Sequence, residues 1–411
     1  MNTSKTVYIV GAGISGLIAA LELESVGYRP VVLEQSDDVG GRVRTVNVNG
    51  FDLDVGFQVL LSAYPLAQKY LDMGALNLKK LASGAQILVS GKRYTIGDPL
   101  RDPKLLLPTV IAGIGSVRDK LLILRLNAQL KRTSIDAIFE APETTTLEFL
   151  QNFGFSEKII DRFFKPFFSG IFLETELKTS SRMFAFVYKM FGEGFATIPA
   201  AGIGAIGEQL KAKLAHTTFR YSTKVTQVTN EEIILENGER LTHDGVLLTG
   251  DASGLVSNMK DQRVQWKSCQ NFYFEVDQTS IPKDTISLVA DTGKHINNAY
   301  AFSDAQGRKI LSVTVLNGNN INTDDLLHRI EVEVREYFGV GQLKHITTFN
   351  IPQALPDLTN LKMSAAPSES QLTENIFLAG DVLFNGSLNA AMGSGQLAAQ
   401  GFIERQSGIF A

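Results

Sequence analysis

Between residues 7 and 35 the apolar positions change period twice. Val7, Tyr8, Ile9 and Val10 are continuous, Ile14, Leu17, Ile18 and Leu21 recur at helical spacing, and Pro30 to Leu33 are continuous again. A short apolar run that ends at glycine predicts a strand buried on both faces of a parallel sheet, and the longer period predicts a helix. The stretch therefore reads as strand, turn, helix, strand. Further along, Gln86 to Ile96 reads as two short strands meeting at Gly91, and the pattern then turns helical. Thr145 with Glu148 fits a capping box, and Ser156 can open a further helix that must break or kink before Pro166. Lys224–Val228, a hairpin over Glu232–Leu241 with an Asn237-Gly238 turn, and Gly245–Thr249 read as strands. From Trp266 the period is two, through Phe272, Phe274 and Val276, then Ile286 and Leu288, then Leu311, Val313 and Val315. That alternation predicts an antiparallel sheet with one buried face. Leu327, Ile330, Val334 and Tyr337 predict an amphipathic helix closed by Gly339, and Asn375–Leu378 a last strand before a helix through Ala398.

The first turn carries chemistry. Gly11, Gly13 and Gly16 form G-x-G-x-x-G around Ala12 and Ser15. The first glycine allows the tight turn, the second lets a pyrophosphate touch the backbone, and the third lets helix and strand pack closely. The amides and positive dipole end of the helix then face a phosphate. Glu34, at the end of the second strand, is placed to accept hydrogen bonds from both ribose hydroxyls of an adenosine and disfavours a 2′-phosphate. Dinucleotide binding follows from this order of elements.

Next come Val39-Gly40-Gly41-Arg42-Val43-Arg44-Thr45, then Asp54 and Gly56, and near the C-terminus Gly380-Asp381 with Ser387–Gly395. This set resembles the signatures of the flavoprotein superfamily of amine oxidases, protoporphyrinogen oxidases and phytoene desaturases. The resemblance implies FAD as cofactor. It implies that Gly40, Gly41 and Arg42 lie along the pyrophosphate, that Gly56, Phe57 and Gln58 lie near the flavin ring, and that Val225 lies against the adenine. It further implies that Asp381 holds the ribityl and pyrophosphate side, and that helix-start amides around Ala391 and Met392 favour negative charge at the pyrimidine end. Ala390 departs from the pattern, which usually has glycine there. The implied fold is α/β, with a Rossmann-like FAD-binding domain of the glutathione reductase type and a discontinuous α+β substrate domain containing an antiparallel sheet and a helical part. The expected FAD-binding domain comprises 1–80, 197–258 and 352–411, and the substrate domain 81–196 and 259–351.

Composition narrows the function. Of 411 residues 44% are apolar, enough for a large core, and 39 basic against 43 acidic side chains leave a net charge of −4. No electrostatic footprint for nucleic acid results. The single Cys269 cannot form an internal disulfide, which fits a reducing compartment. With the first strand starting near residue 6 and no apolar run reaching about eighteen residues, a cytoplasmic protein is expected. His216, His243, His295, His328 and His345 show neither metal-ligand spacing nor a nucleophile partner, so no metal is expected.

Two stretches bear on substrate and partner. Twelve of the 25 phenylalanines lie between Phe149 and Phe195. Phe163, Phe164, Phe167 and Phe168, with Phe384, are the candidate lining of an apolar pocket, although a helical domain also needs a core. Leu105–Gly115 is apolar but broken by Pro108, and the basic residues Arg118, Lys120, Arg125, Lys131 and Arg132 then interleave with leucine. The segment 105–132 reads either as a peripheral membrane contact or as a substrate-domain helix with a solvated basic face. The expected reaction is oxidation of a small, largely apolar substrate (polyene, porphyrinogen or lipid-like) by FAD, with oxygen or a quinone as acceptor. The absence of Tyr and Trp after Tyr337 argues against a typical amine oxidase, which pairs two aromatic rings before the flavin. Amine oxidation and flavin-dependent isomerisation stand as the alternatives.

Overall fold

The structure, a computed structural model, describes residues 5–98, 101–105, 108–109, 112–259, 262–316 and 323–408. A five-stranded parallel sheet takes the order Thr218–Arg220, Val31–Leu33, Val7–Val10, Gly245–Leu248, Ile376–Leu378. Val7–Val10 lies at its centre, with Tyr8 opposite Val31 on one side and Val246 on the other. The chain leaves this strand toward one edge and returns later to fill the opposite edge. Such a reversal of direction opens a crevice at the carboxyl ends of the strands. Two helices, Ile14–Ser25 and Leu388–Gln406, pack against this sheet and each other. A Cβ on Gly395 would stand 2.2 Å from the Ser15 carbonyl oxygen, so the helices meet backbone to backbone.

A seven-stranded sheet takes the order Leu343–Asp357, Gln265–Val276, Lys309–Val315, Ile296–Ser303, Ile286–Val289, Gly84–Val89, Lys92–Gly97. Its two ends in sequence join where Ile286 pairs in parallel with Ala85, which is why the alternating pattern was interrupted for nearly two hundred residues. One face carries Phe272, Phe274, Leu311 and Val313 against Leu326, Ile330 and Val334 of the helix Thr323–Phe338. The architecture is thus mixed α/β, with one wholly parallel sheet and a larger sheet that is antiparallel except for the one parallel pair at Ile286 and Ala85, where a purely antiparallel sheet was expected.

Of three further expectations, two are corrected. The strand Leu343–Asp357 stays in the large sheet to its end, with Gln265 opposite Asp357, and so overruns the boundary expected at 351. One holds: Ser156 caps Glu157–Ile159, and before Pro166 the α-helix is interrupted as expected, Ile160–Phe164 widening into a π-helical turn before Lys165–Phe172 resumes as α-helix. The wider turn relieves the clash between the proline ring and the carbonyl four residues earlier. Finally, the large sheet is buried on both faces. Asn271, Ser312, Thr314 and Asn298, opposite in alternation to the Phe272 face, are all at most 5% exposed. Within the segment 105–115, residues 106–107 and 110–111 lie outside the described residues, and Ala112 and Ile114 are buried. No described helix is long and apolar enough to cross a membrane.

Candidate functional site

The glycine turn follows directly from Val7–Val10. Gly11 adopts φ +104°, and a Cβ there would meet Thr249 Oγ1 at 2.7 Å. At Gly16 a Cβ would lie 2.1 Å from the Gly11 carbonyl oxygen, which is the close helix–strand approach the third glycine was expected to permit. Gly13 differs from both. It is the N-cap of the helix, with no side-chain capping bond and no acidic residue in the first turn. Among the described residues nothing stands within 4 Å of where its Cβ would be. The positive end of the helix therefore faces open space that a side chain would fill, the arrangement that receives a phosphate.

The second glycine segment lies alongside the first. Gly40 N–H donates to the Ala12 carbonyl at 2.9 Å, Gly40 bridges Gly13, and the Cβ position of Gly41 is 3.3 Å from Gly13 Cα. Arg42 is thereby brought to the same crevice, where its guanidinium reaches Asp381 Oδ1 at 2.5 Å and lies over the Trp266 ring at 5.1 Å. Asp381 is buried while Arg42 remains half-exposed. The third segment is tied in a second way: Gly380 N–H donates to Ser394 Oγ at 2.9 Å, and Ser394 Oγ is 3.3 Å from Ser15 Oγ. Residues more than three hundred apart in sequence thus converge within one crevice.

Glu34 is buried beside this turn. Its Oε2 accepts from Ala12 N–H at 2.6 Å and its Oε1 from the Ser36 amide and hydroxyl, both at 2.8 Å. A carboxylate offers about four acceptor sites, so one remains for a ligand. Val225 is packed with Leu33 and Val246 in the cluster next to Glu34. Gln58 Nε2 donates to the carbonyls of Arg42 and Val55 at 2.8 and 3.1 Å, so its amide fixes the loop. Gly56, at φ +91°, abuts Ile351 of the large sheet, and Phe57 packs on Tyr300 with centroids 5.5 Å apart. The segment 56–58 accordingly stands between the Arg42 loop and the large sheet.

Met392 is placed differently from expectation. The C-terminal helix starts at Leu388, four residues earlier, with Ser387 capping Ala390 N–H at 3.0 Å. Ala391 N–H already donates to the Ser387 carbonyl at 2.9 Å. Leu388 and Asn389 are the residues at the helix start, and Met392 lies inside the hydrogen-bonded ladder. Ala390 is buried with Phe384 and Leu397.

Most of the aromatic candidates are core. Phe164 and Phe168 are 0% and 1% exposed, and both rings pack on Phe184. Phe384 is also buried, in its own small cluster. Only Phe163 and Phe167, partly buried and 5.6 Å apart, keep ring surface available. The residues that sequence reasoning missed form a polar rung on the large sheet. Asn271 Nδ2 donates to Ser312 Oγ at 3.0 Å, Thr314 Oγ1 to Asn271 Oδ1 at 3.2 Å, and Asn298 Nδ2 to Thr314 Oγ1 at 3.3 Å. The helix Lys165–Phe172 crosses beside it, where a Cβ on Gly170 would stand 2.5 Å from Asn297 Oδ1. The signal was polar residues on the face opposite the phenylalanines, a pattern that equally describes solvent exposure.

The ionisable groups outside the crevice are structural. Asp54 accepts from Thr45 Oγ1 at 2.6 Å and Ile203 N–H at 2.9 Å, and burial pushes its carboxyl above the usual range despite these bonds. Burial pushes the Cys269 thiol up to about 11, which keeps it protonated at neutral pH and a poor nucleophile. His295 pairs with Glu333 at 3.0 Å, and burial lowers both His243 and His345. No group of three or more His, Cys, Asp or Glu that could hold a metal occurs among the described residues.

Comparison with known proteins agrees with this crevice. The profile of the flavin containing amine oxidoreductases matches residues 14–403, and the chain belongs to that family. FAD is its cofactor, and the Cβ-free helix start with Arg42 beside it fits a dinucleotide. Protoporphyrinogen oxidase 2, chloroplastic/mitochondrial, of Arabidopsis thaliana is 32% identical over 170 residues, 41% of this chain and 32% of that protein. An L-amino-acid oxidase of Trimeresurus stejnegeri is 32% identical over 156 residues, 36% of this chain and 30% of that protein. The chain matches about a third of the length of these curated relatives. A solved structure of a CLA-producing fatty acid isomerase from P. acnes aligns with TM-score 0.72 at 18% identity, over 96% of this chain and 98% of that one. At that identity the likeness concerns the fold.

Proposed function

We propose that the protein is an FAD-dependent oxidoreductase acting on a small, largely apolar molecule. The observation that carries this reading is the convergence of Gly11–Gly16, Gly40–Arg42 and Gly380–Asp381 on one open helix start. The parallel sheet then serves as a Rossmann-like domain of the glutathione reductase type. Gly13 and the first-turn amides, with Arg42, hold the pyrophosphate, Glu34 holds the adenosine ribose, and Val225 lies on the adenine side. Asp381 supports the ribityl side, and Gly56, Phe57 and Gln58 with the amides at Leu388 and Asn389 border the flavin ring.

Bound FAD supplies a two-electron acceptor, and oxygen or a quinone would restore it. The chain contributes orientation, exclusion of water and electrostatics. The substrate side is bordered by Phe163 and Phe167, and the buried rung Asn271–Thr314–Asn298 lies behind it, beneath the helix Lys165–Phe172. The rung holds no charged side chain and its members bond largely to one another, which favours a weakly polar substrate over an ion. No single His, Asp or Glu outside the cofactor segments is then expected to change the rate by more than about a hundredfold, the lower range of acid–base catalysis.

Amine oxidation is the second reading, favoured by the matching segment of an L-amino-acid oxidase. Anaerobic titration of the purified protein with lipophilic compounds and with amines, followed by flavin absorbance, separates the two. Bleaching by apolar donors supports the proposal, and bleaching by amines alone replaces it. Product formed without consumption of any acceptor would instead mark an isomerase.

A further inference from the structure

Three of the five large apolar side chains exposed among the described residues sit on one helix, Val117–Arg132. Val117 is 74% exposed, Leu121 62% and Leu124 51%. With about 100° of rotation per residue, these three and Ala128 fall within about 60° of arc, pointing away from the protein. On the same wheel Arg118, Arg125 and Arg132 follow on one flank, and Lys120 and Lys131 on the other. The helix has a single acid, Asp119, and it is turned inward, accepting from Ser116 and Ser156 at 2.7 to 2.9 Å. The outward half therefore combines an apolar stripe with two cationic borders and no carboxylate.

The inward half is firmly seated. Leu126 and Leu130 are buried, Lys189 Nζ donates to the Leu130 carbonyl at 2.9 Å, and a Ser116–Asp119 capping box fixes the N-terminus. The exposed leucines are consequently not needed to hold the helix in place. At about 1.5 Å per residue the helix is too short to cross a hydrocarbon core of about 30 Å, so it can only lie along a surface.

We propose that this helix is the face by which the protein rests on an anionic lipid surface. Val117, Leu121 and Leu124 enter the acyl boundary, and the flanking arginines and lysines meet the phosphates and carboxylates of the headgroups. An amphipathic helix with cations bordering a leucine stripe binds such an interface through both terms together. The inference narrows the membrane-facing part of 105–132 to 117–132, and it holds whatever the substrate of the cofactor site.

Flotation of the FAD-loaded full chain with vesicles tests it, using phosphatidylcholine alone and phosphatidylcholine mixed with an equal part of phosphatidylserine. The expected result is flotation with the anionic vesicles only, weakened by salt. The double variant Leu121→Ser, Leu124→Ser should bind about thirtyfold or more weakly. Arg118→Glu with Arg132→Glu should weaken binding on the order of a hundredfold. Both pairs lie on the outer face, so the flavin spectrum and circular dichroism should match the parent. Recovery of the parent in the lipid-free fraction overturns the proposal, as does binding that neither pair alters. Self-association of the parent without lipid, lost in the serine variant, also overturns it and assigns the face to a second copy of the chain.

Discussion

The parallel-sheet region and the helical region from Val117 to Glu193 are held together in opposite ways. Around the glycine turn, contact is made by backbone where side chains are absent: Gly16 on Gly11, Gly395 on Ser15, Gly41 on Gly13. In the helical region, contact is made by rings, with Phe155, Phe164, Phe168 and Phe184 forming one aromatic mass. The first arrangement tolerates no added atom, and the second tolerates no lost one. Backbone contacts also leave room for a ligand to approach the peptide groups, whereas filled aromatic space leaves little.

The largest expected effect lies in the aromatic region. Phe168→Ala should cost about 4 kcal/mol of stability, the scale for removing a buried ring, read by denaturant unfolding. Phe163→Ala should cost much less and raise KM once a substrate is known. If the Phe168 variant keeps its stability and changes KM instead, that ring lines the pocket and the contrast fails. Next, Gly395→Ala should cost about 3 kcal/mol, since its Cβ has no space, and lower flavin retention. Gly192, with nothing within 4 Å among the described residues, is the control: Gly192→Ala should stabilise its helix by up to about 1 kcal/mol.

A smaller effect is expected at Glu34. Glu34→Ala should weaken FAD binding by about 2 kcal/mol, the scale of hydrogen bonds to a charged group, measured by equilibrium dialysis of the apoprotein. An unchanged dissociation constant removes Glu34 from the site. Asp54 should show the smallest effect, and it depends on pH. Because burial raises its folded pKa, the native state holds the proton more tightly than the unfolded chain. That stabilisation is complete below the ordinary carboxylate range and is lost as pH rises through the raised folded value. Asp54→Asn should flatten this part of the stability–pH curve, and an unaltered slope would show that Asp54 does not cause it.

Legibility followed the same division. The cofactor region could be read because each glycine sits where a particular close approach needs it, and because strand, turn, helix and acid occur in a fixed order. Val7–Val10, Ile14–Ser25 and the strand Ile376–Leu378 before Gly380 were all evident. The start of the C-terminal helix was not, since Ser387 and the residues after it carry no break in pattern to separate Leu388 from Met392. The aromatic region was legible in composition but not in role, as a ring in a core and a ring beside a pocket look alike in sequence. The polar rung on the large sheet was hidden because alternation reports which residues differ between two faces, and burial of the second face depends on what packs over it. Here that is the helix Lys165–Phe172 and the strand Phe51–Asp54, whose Asp54 carbonyl accepts from the Tyr273 hydroxyl at 2.9 Å.

The central claim is that three distant glycine segments build one dinucleotide site. Mild denaturation of the purified protein, followed by chromatography and mass determination of what is released, tests it most directly. The account predicts FAD, stoichiometric with protein and released without proteolysis, because the only thiol, Cys269, is buried and protonated. Release of FMN or NADP, or flavin that stays with the polypeptide after denaturation, would contradict it.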